Sequence, residues 1–202
     1  MRAWLLRPQA KGVLALLCAL PALWLLTGAF QDRLGPNPAE ALIRGTGDWT
    51  LRALCLVLAV TPLRVITGTP ALARFRRLLG LNVFAYATLH LLCYAWLDMG
   101  LELPDIAKDI AKRPFILVGF AATVLLLLLA ATSFQRAQRW LGAKRWQALH
   151  RAVYAVAVLA ILHFYWMRAG KQDFAEVAVY AAVLGLLLGW RVWHARHKRL
   201  QR

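Results

Sequence analysis

A chain of 202 residues that is 61% hydrophobic and only 17% charged falls short of the roughly 25% charge expected of a soluble domain, so the expected solvent is a bilayer. The net charge of +16 would suggest nucleic acid in a soluble protein, but the charges are ordered along the chain in a way that excludes that reading. Cys18, Cys55 and Cys93 all lie in apolar runs and form no C-x-x-C pair, which excludes a disulfide framework and a zinc-ribbon spacing.

About 20 mostly apolar residues are needed to cross roughly 30 Å of hydrocarbon. Six segments meet or nearly meet that length: 13–30, 49–66, 79–97, 115–133, 148–166 and 174–193. The first follows Arg2, Arg7 and Lys11, as a signal peptide would. Because five more apolar segments follow, it reads as a retained helix. The second is the weakest, with Arg52 near its start and Pro62 near its end. The third holds His90, the fifth holds His150 and His163, and the sixth runs into a basic tail with His194 and His197. Lipid cannot satisfy free backbone groups, so the spans are expected to be helices. The expected fold is an all-α membrane protein, a six-helix bundle forming one domain over residues 1–202.

Charge gives the orientation. With the N-terminus placed in the cytoplasm, the cytoplasmic segments hold Arg2, Arg7, Lys11, Arg64, Arg74, Arg76, Arg77, Arg136, Arg139, Lys144, Arg145, Arg151, Arg191, Arg196, Lys198, Arg199 and Arg202, which is 17 of 25 basic residues. All nine acids (Asp32, Glu40, Asp48, Asp98, Glu102, Asp105, Asp109, Asp173 and Glu176) fall on the other side. The positive-inside rule then puts both termini in the cytoplasm. The basic face should meet anionic lipid headgroups. Trp49, Trp96, Trp140, Trp146, Trp166 and Trp193 sit near span ends, as an interfacial aromatic belt does.

Ionisable side chains inside a membrane are costly and mark function by default. His90 lies eight residues before Asp98, and His163 five residues before Arg168, on two spans that run in the same direction. At 1.5 Å per residue their depths differ by only about 4–5 Å, which modest helix tilt absorbs. Two neutral imidazoles at one depth can share one iron. His150 is close to the inner surface, about 20 Å from His163 along the helix, and position 77, thirteen residues before His90, is arginine. One well-ligated haem between His90 and His163 is therefore expected near the outer side. His150 is left as an alternative ligand, a weaker second site or part of an inner electron-donor site. Arg52, Arg168 and Lys171 are outer-side cations available to haem propionates.

The stretches Thr61-Pro62-Leu63-Arg64, Arg77-Leu78-Leu79-Gly80-Leu81, Leu89-His90, Lys112-Arg113-Pro114-Phe115, Leu149-His150-Arg151-Ala152-Val153-Tyr154 and Leu162-His163-Phe164-Tyr165-Trp166, in that order, resemble the MsrQ family. These are haem-binding membrane subunits of bacterial periplasmic protein-methionine-sulfoxide reductase systems, related to ferric-reductase and NADPH-oxidase membrane domains. Those broader relatives usually carry two histidines on each of two helices, whereas the third span here offers His90 alone. The resemblance implies haem b in the bacterial inner membrane. Electrons would come from quinone or a cytoplasmic flavin reductase and pass to a periplasmic molybdopterin catalytic subunit that reduces methionine sulfoxide. It also implies FMN, for which no motif is visible. The near-neutral outer segment from Asp98 to Arg113 is a docking candidate or a simple connector. Two other readings compete: a ferric- or oxygen-reductase cytochrome b, which usually carries a long cytoplasmic flavin domain, and a cofactor-free transporter or scaffold, which membrane carboxylates or broken helices would favour.

Overall fold

The computed structural model describes residues 2–170 and 172–200, and these are almost entirely helical. A short α1 (Arg2–Leu5) precedes α2 (Pro8–Phe30) and α3 (Pro38–Ile66). A 3-10 segment, Pro70–Phe75, leads into α4 (Arg76–Cys93), whose last turn widens into a π-helix, Tyr94–Asp98. Then come α5 (Leu103–Lys112), α6 (Pro114–Ala131), α7 (Gln135–His150), α8 (Val153–Ala169) and α9 (Ala175–Leu200). Among the described residues, six helical stretches are long and apolar enough to cross a membrane.

The helix boundaries follow local chemistry. α3 begins at Pro38, whereas hydropathy starts the second span at Trp49. Asn37 accepts the Glu40 N–H as an N-cap, Pro38 takes the first helical position where no N–H is needed, and Glu40 pairs with Arg44 one turn on. Asp48 consequently lies within the helix. α6 starts the same way, with Pro114 at its first turn, and carries no charge. The fifth span is not one regular helix. The polar α7 bends at Gly142, where φ is 72°, and a 3-10 turn joins it to α8, with Ala152 N–H donating to the Leu149 carbonyl at 2.9 Å.

The bundle is built on two helix pairs, α3 with α4 and α6 with α8, which meet where α4 touches α6, while α9 packs on α3 and α8. The core has Ala53, Leu54 and Leu58 from α3, Val83 and Ala87 from α4, Leu126 and Leu129 from α6, Val156 and Ala157 from α8, and Leu184 from α9. Small residues at these crossings let helices approach closely, which is how packing holds a bundle when lipid offers no hydrophobic drive between helices. Around this core Leu16, Trp24, Leu127 and Leu186 point outward, the apolar exterior that a bilayer requires.

α2 is peripheral, and a proline attaches it. Inside a helix proline disturbs the ladder on its own turn. One residue after Pro21, the Tyr86 hydroxyl from α4 enters that ladder, accepting from Ala22 N–H at 3.0 Å and donating to the Cys18 carbonyl at 2.8 Å. Tyr86 is buried.

Candidate cofactor site

His90 stands near the end of α4 and His163 in the second half of α8. The fold brings the two rings together, with centroids 6.1 Å apart and planes 77° from parallel. A metal–imidazole bond of about 2.0–2.1 Å, with roughly 1.2 Å more from each nitrogen to its ring centre, sets two imidazoles that share one metal about 6–6.5 Å apart. The observed spacing falls in that interval.

Each ring is held by the backbone of a neighbouring helix. His90 Nδ1 lies 2.8 Å from the Ile43 carbonyl oxygen on α3, and His163 Nδ1 lies 2.6 Å from the Phe115 carbonyl oxygen on α6. A carbonyl only accepts, so each Nδ1 must carry the proton. That leaves Nε2 of both rings as the nitrogen with a lone pair. A second hydrogen bond of this kind orients a metal-binding histidine and raises its basicity.

Both histidines line a cavity of about 620 Å³ between α3, α4, α6 and α8. That volume lies within the roughly 300–1,000 Å³ of sites for organic cofactors. Its deep wall is apolar, with Leu54, Val83, Leu126 and Val156. Its rim, at the acid-bearing end of the bundle, holds Arg44, Asp48, Asp98, Arg113 and Arg168. Among the described residues no group of three or more His, Cys, Asp or Glu side chains could cage a metal ion. Two imidazoles lining one cavity with an apolar wall instead suit a metal whose other coordination positions come from a flat macrocycle. A carboxylate-bearing macrocycle also finds guanidinium groups at the rim, so these residues fit a haem.

Arg168 is the most enclosed of the rim cations. It bridges Asp173 at 3.1 Å and Glu176 at 2.6 Å, and its Nε is buried without a hydrogen-bond partner. Arg113 pairs with Asp109 at 2.8 Å. Asp109 also accepts from the Tyr94 hydroxyl at 2.7 Å, which fastens α5 to the π-turn that follows His90. The segment from Asp98 to Arg113, read from sequence as docking candidate or connector, thus contains an amphipathic helix that is fixed at the cavity rim.

The other sequence candidates lie elsewhere. His150 is at the basic end, where its Nε2 meets the Thr132 hydroxyl at 3.2 Å and its ring stacks on Trp146 at 4.1 Å. It does not reach the cavity. Arg52 turns away from the cavity, with its Nε donating to the Tyr180 hydroxyl at 3.1 Å and its guanidinium over Trp49. Lys171 lies outside the described residues. His194, in the basic tail, is half-buried against Trp190.

Sequence reading missed Ile43, Phe115, Gly47 and Gly119. The first two act through backbone oxygen, which any residue supplies. Gly47 and Gly119 each follow the carbonyl residue by one helical turn and lie directly under the histidine rings. The one visible signal is that both helices carry a glycine at this point.

Sequence comparisons show the family of the chain. A family model described as "Ferric reductase like transmembrane component" matches residues 46–161, a stretch that holds His90 and His150 and ends just before His163. The chain is 65% identical over 191 residues to the "Protein-methionine-sulfoxide reductase heme-binding subunit MsrQ" of Polaromonas naphthalenivorans, covering 95% of this chain and 87% of that protein. A protein of the same name from Ralstonia nicotianae is 56% identical over 88% of this chain and 82% of its own length. One from Bordetella pertussis is 54% identical over 87% of this chain and 85% of its own length. No solved structure matches. The chain is a multi-pass membrane protein of the ferric-reductase-like transmembrane class, and it belongs to the MsrQ family.

Proposed function

We propose that this chain is a haem b electron-transfer subunit of a protein-methionine-sulfoxide reductase system, with His90 and His163 as the axial ligands. One observation carries the reading: two imidazoles 6.1 Å apart, each with Nδ1 on a helix carbonyl and both lining one cavity. The relatives, named as heme-binding subunits of protein-methionine-sulfoxide reductase, support the assignment of system and cofactor.

When bound, the haem supplies one-electron redox chemistry through its iron. Everything else falls to the chain. His90 and His163 present Nε2, held in that tautomer by Ile43 and Phe115. Leu54, Val83, Leu126 and Val156 keep water from the deep wall. Arg44, Arg113 and Arg168, which line the cavity, would be the cations that hold a haem's propionate carboxylates. The subunit is non-catalytic, because the sulfoxide is reduced on its partner.

The distribution of charge supports a bacterial inner-membrane location with both termini cytoplasmic. The cavity rim then faces the periplasm, where α5 and the neighbouring loops receive a molybdopterin catalytic subunit. Quinone or a cytoplasmic flavin reductase delivers electrons at the basic face. FMN enters the reading on family resemblance alone. His150, a single imidazole at that face, is the place for a weaker second or alternative site. The match to ferric-reductase-like components favours one rival, a cytochrome b that reduces ferric iron or oxygen directly.

The test is a dithionite-reduced absorption spectrum of detergent-purified wild type, His90→Ala, His163→Ala and His150→Ala, followed by reoxidation. The expected result is a b-type spectrum lost in the first two variants, kept in the third, and reoxidised fastest by the methionine-sulfoxide reductase subunit. A colourless wild type from haem-replete cells overturns the reading, as does loss of the spectrum in His150→Ala alone. Fastest reoxidation by ferric chelates or oxygen moves the assignment to the rival.

A further inference from the structure

The two histidines are seated in the same way on different helices. On α3, Ile43 offers its carbonyl to His90 and Gly47 follows one turn later; on α6, Phe115 offers its carbonyl to His163 and Gly119 follows one turn later. A ring whose Nδ1–H points at the carbonyl of one residue must lie across the next turn of that helix, because the carbonyl points along the axis toward it. A Cβ on the residue of that turn that faces the ring would meet it.

The clearances are explicit. A Cβ at position 119 would lie 2.7 Å from His163 Nδ1 and 2.9 Å from its Cε1, inside contact distance. A Cβ at position 47 would lie 3.2 Å from His90 Cε1 and 3.3 Å from its Nδ1, a tight contact. By contrast, a Cβ at Gly80, Gly185 or Gly189 would meet nothing within 4 Å. Glycine is otherwise disfavoured in a helix interior by about 1 kcal/mol relative to alanine, so these two positions retain a residue that local propensity opposes.

We infer that Gly47 and Gly119 are positioning residues that set the rotation of the two axial imidazoles, fixing their planes nearly perpendicular. The inference rests on the proposed haem ligation. If both Nε2 atoms bind one iron, both ring planes contain the bonding axis, and the 77° between the planes is the angle between the axial ligand planes. That angle governs the ferric ion's ligand field. Crossed planes leave two d-orbitals nearly equal in energy and give one strongly anisotropic low-field resonance. Near-parallel planes split them and give a three-line rhombic spectrum. An added methyl group at position 119 forces the His163 ring to turn or to leave its carbonyl, and one at position 47 pushes the His90 ring by a few tenths of an ångström.

The experiment is low-temperature electron paramagnetic resonance with haem quantification on the full chain in detergent, oxidised, for wild type, Gly47→Ala, Gly119→Ala and the control Gly185→Ala. The wild type and control should give the single low-field signal. Gly119→Ala should convert it to a rhombic or high-spin signal and weaken haem retention by about 10–100-fold, the usual cost of losing a partner behind a metal ligand. Gly47→Ala should shift the signal in the same direction by less, matching its wider clearance. Should Gly119→Ala fail to accumulate, Gly47→Ala decides by itself. Unchanged spectra and haem content in the glycine variants overturn this inference alone, as does a rhombic wild type. A wild type without low-spin haem overturns it together with the proposed ligation.

Discussion

The two ends of the bundle use histidine differently. At the acid-bearing end, His90 and His163 give their Nδ1 protons to backbone carbonyls and turn toward a shared cavity. At the basic end, His150 spends its Nε2 on the Thr132 hydroxyl and its ring face on Trp146, whose Nε1 donates to the Thr132 carbonyl at 2.9 Å. The first pair keeps a lone pair free for a ligand, while the second cluster ties the end of α7 to the end of α6. An imidazole in a membrane helix is therefore informative only once the partner of each ring nitrogen is known.

The largest expected effect that could break this comparison is at the pair itself. His90→Ala or His163→Ala should remove essentially all bound haem, read from the reduced-minus-oxidised spectrum, while His150→Ala should retain it. Equal loss in all three would mean that the two ends are not distinct.

Arg168→Gln comes next. It strips the rim of its most enclosed cation and leaves Asp173 and Glu176 facing each other. Those two carboxylates are half exposed, so the loss of stability should be about 1–2 kcal/mol. A faster transfer of haem to apomyoglobin would show the rim's hold on the cofactor. An unchanged transfer rate would remove Arg168 from the propionate site.

Tyr94→Phe should cost about 1 kcal/mol by leaving Asp109 one donor short, with α5 exchanging its amide hydrogens faster and haem content unchanged. Unaltered exchange would mean that the Tyr94–Asp109 bond does not hold α5 to the rim. Smallest is Thr132→Val at the basic end, expected to cost about 0.6 kcal/mol, the typical worth of a hydrogen bond between membrane helices. Its haem spectrum should match wild type, and a spectral change would tie the basic end to the cofactor.

What could be read from sequence and what could not differ in physical kind. Hydropathy and the segregation of acids from bases specify a six-span helical membrane protein, because the bilayer imposes length and the cost of charge on every span separately. The beginning of α3 escaped that reading because proline, an N-cap and an ion pair start the helix before its apolar run does. Within the spans, hydropathy gives no inward face. α6 is apolar all round, so periodicity could not show that Gly119 points at His163.

The sequence by itself determined the solvent, the number of crossings and the two histidines that reach a common depth, since rise per residue and the positions of flanking charges are one-dimensional quantities. Only the tertiary structure decided which nitrogen of each ring is free, how the rings are turned, and which arginines reach the cavity. Those depend on backbone carbonyls and on the absence of a Cβ, contributed by helices distant in the chain, and neither leaves a side chain to be read.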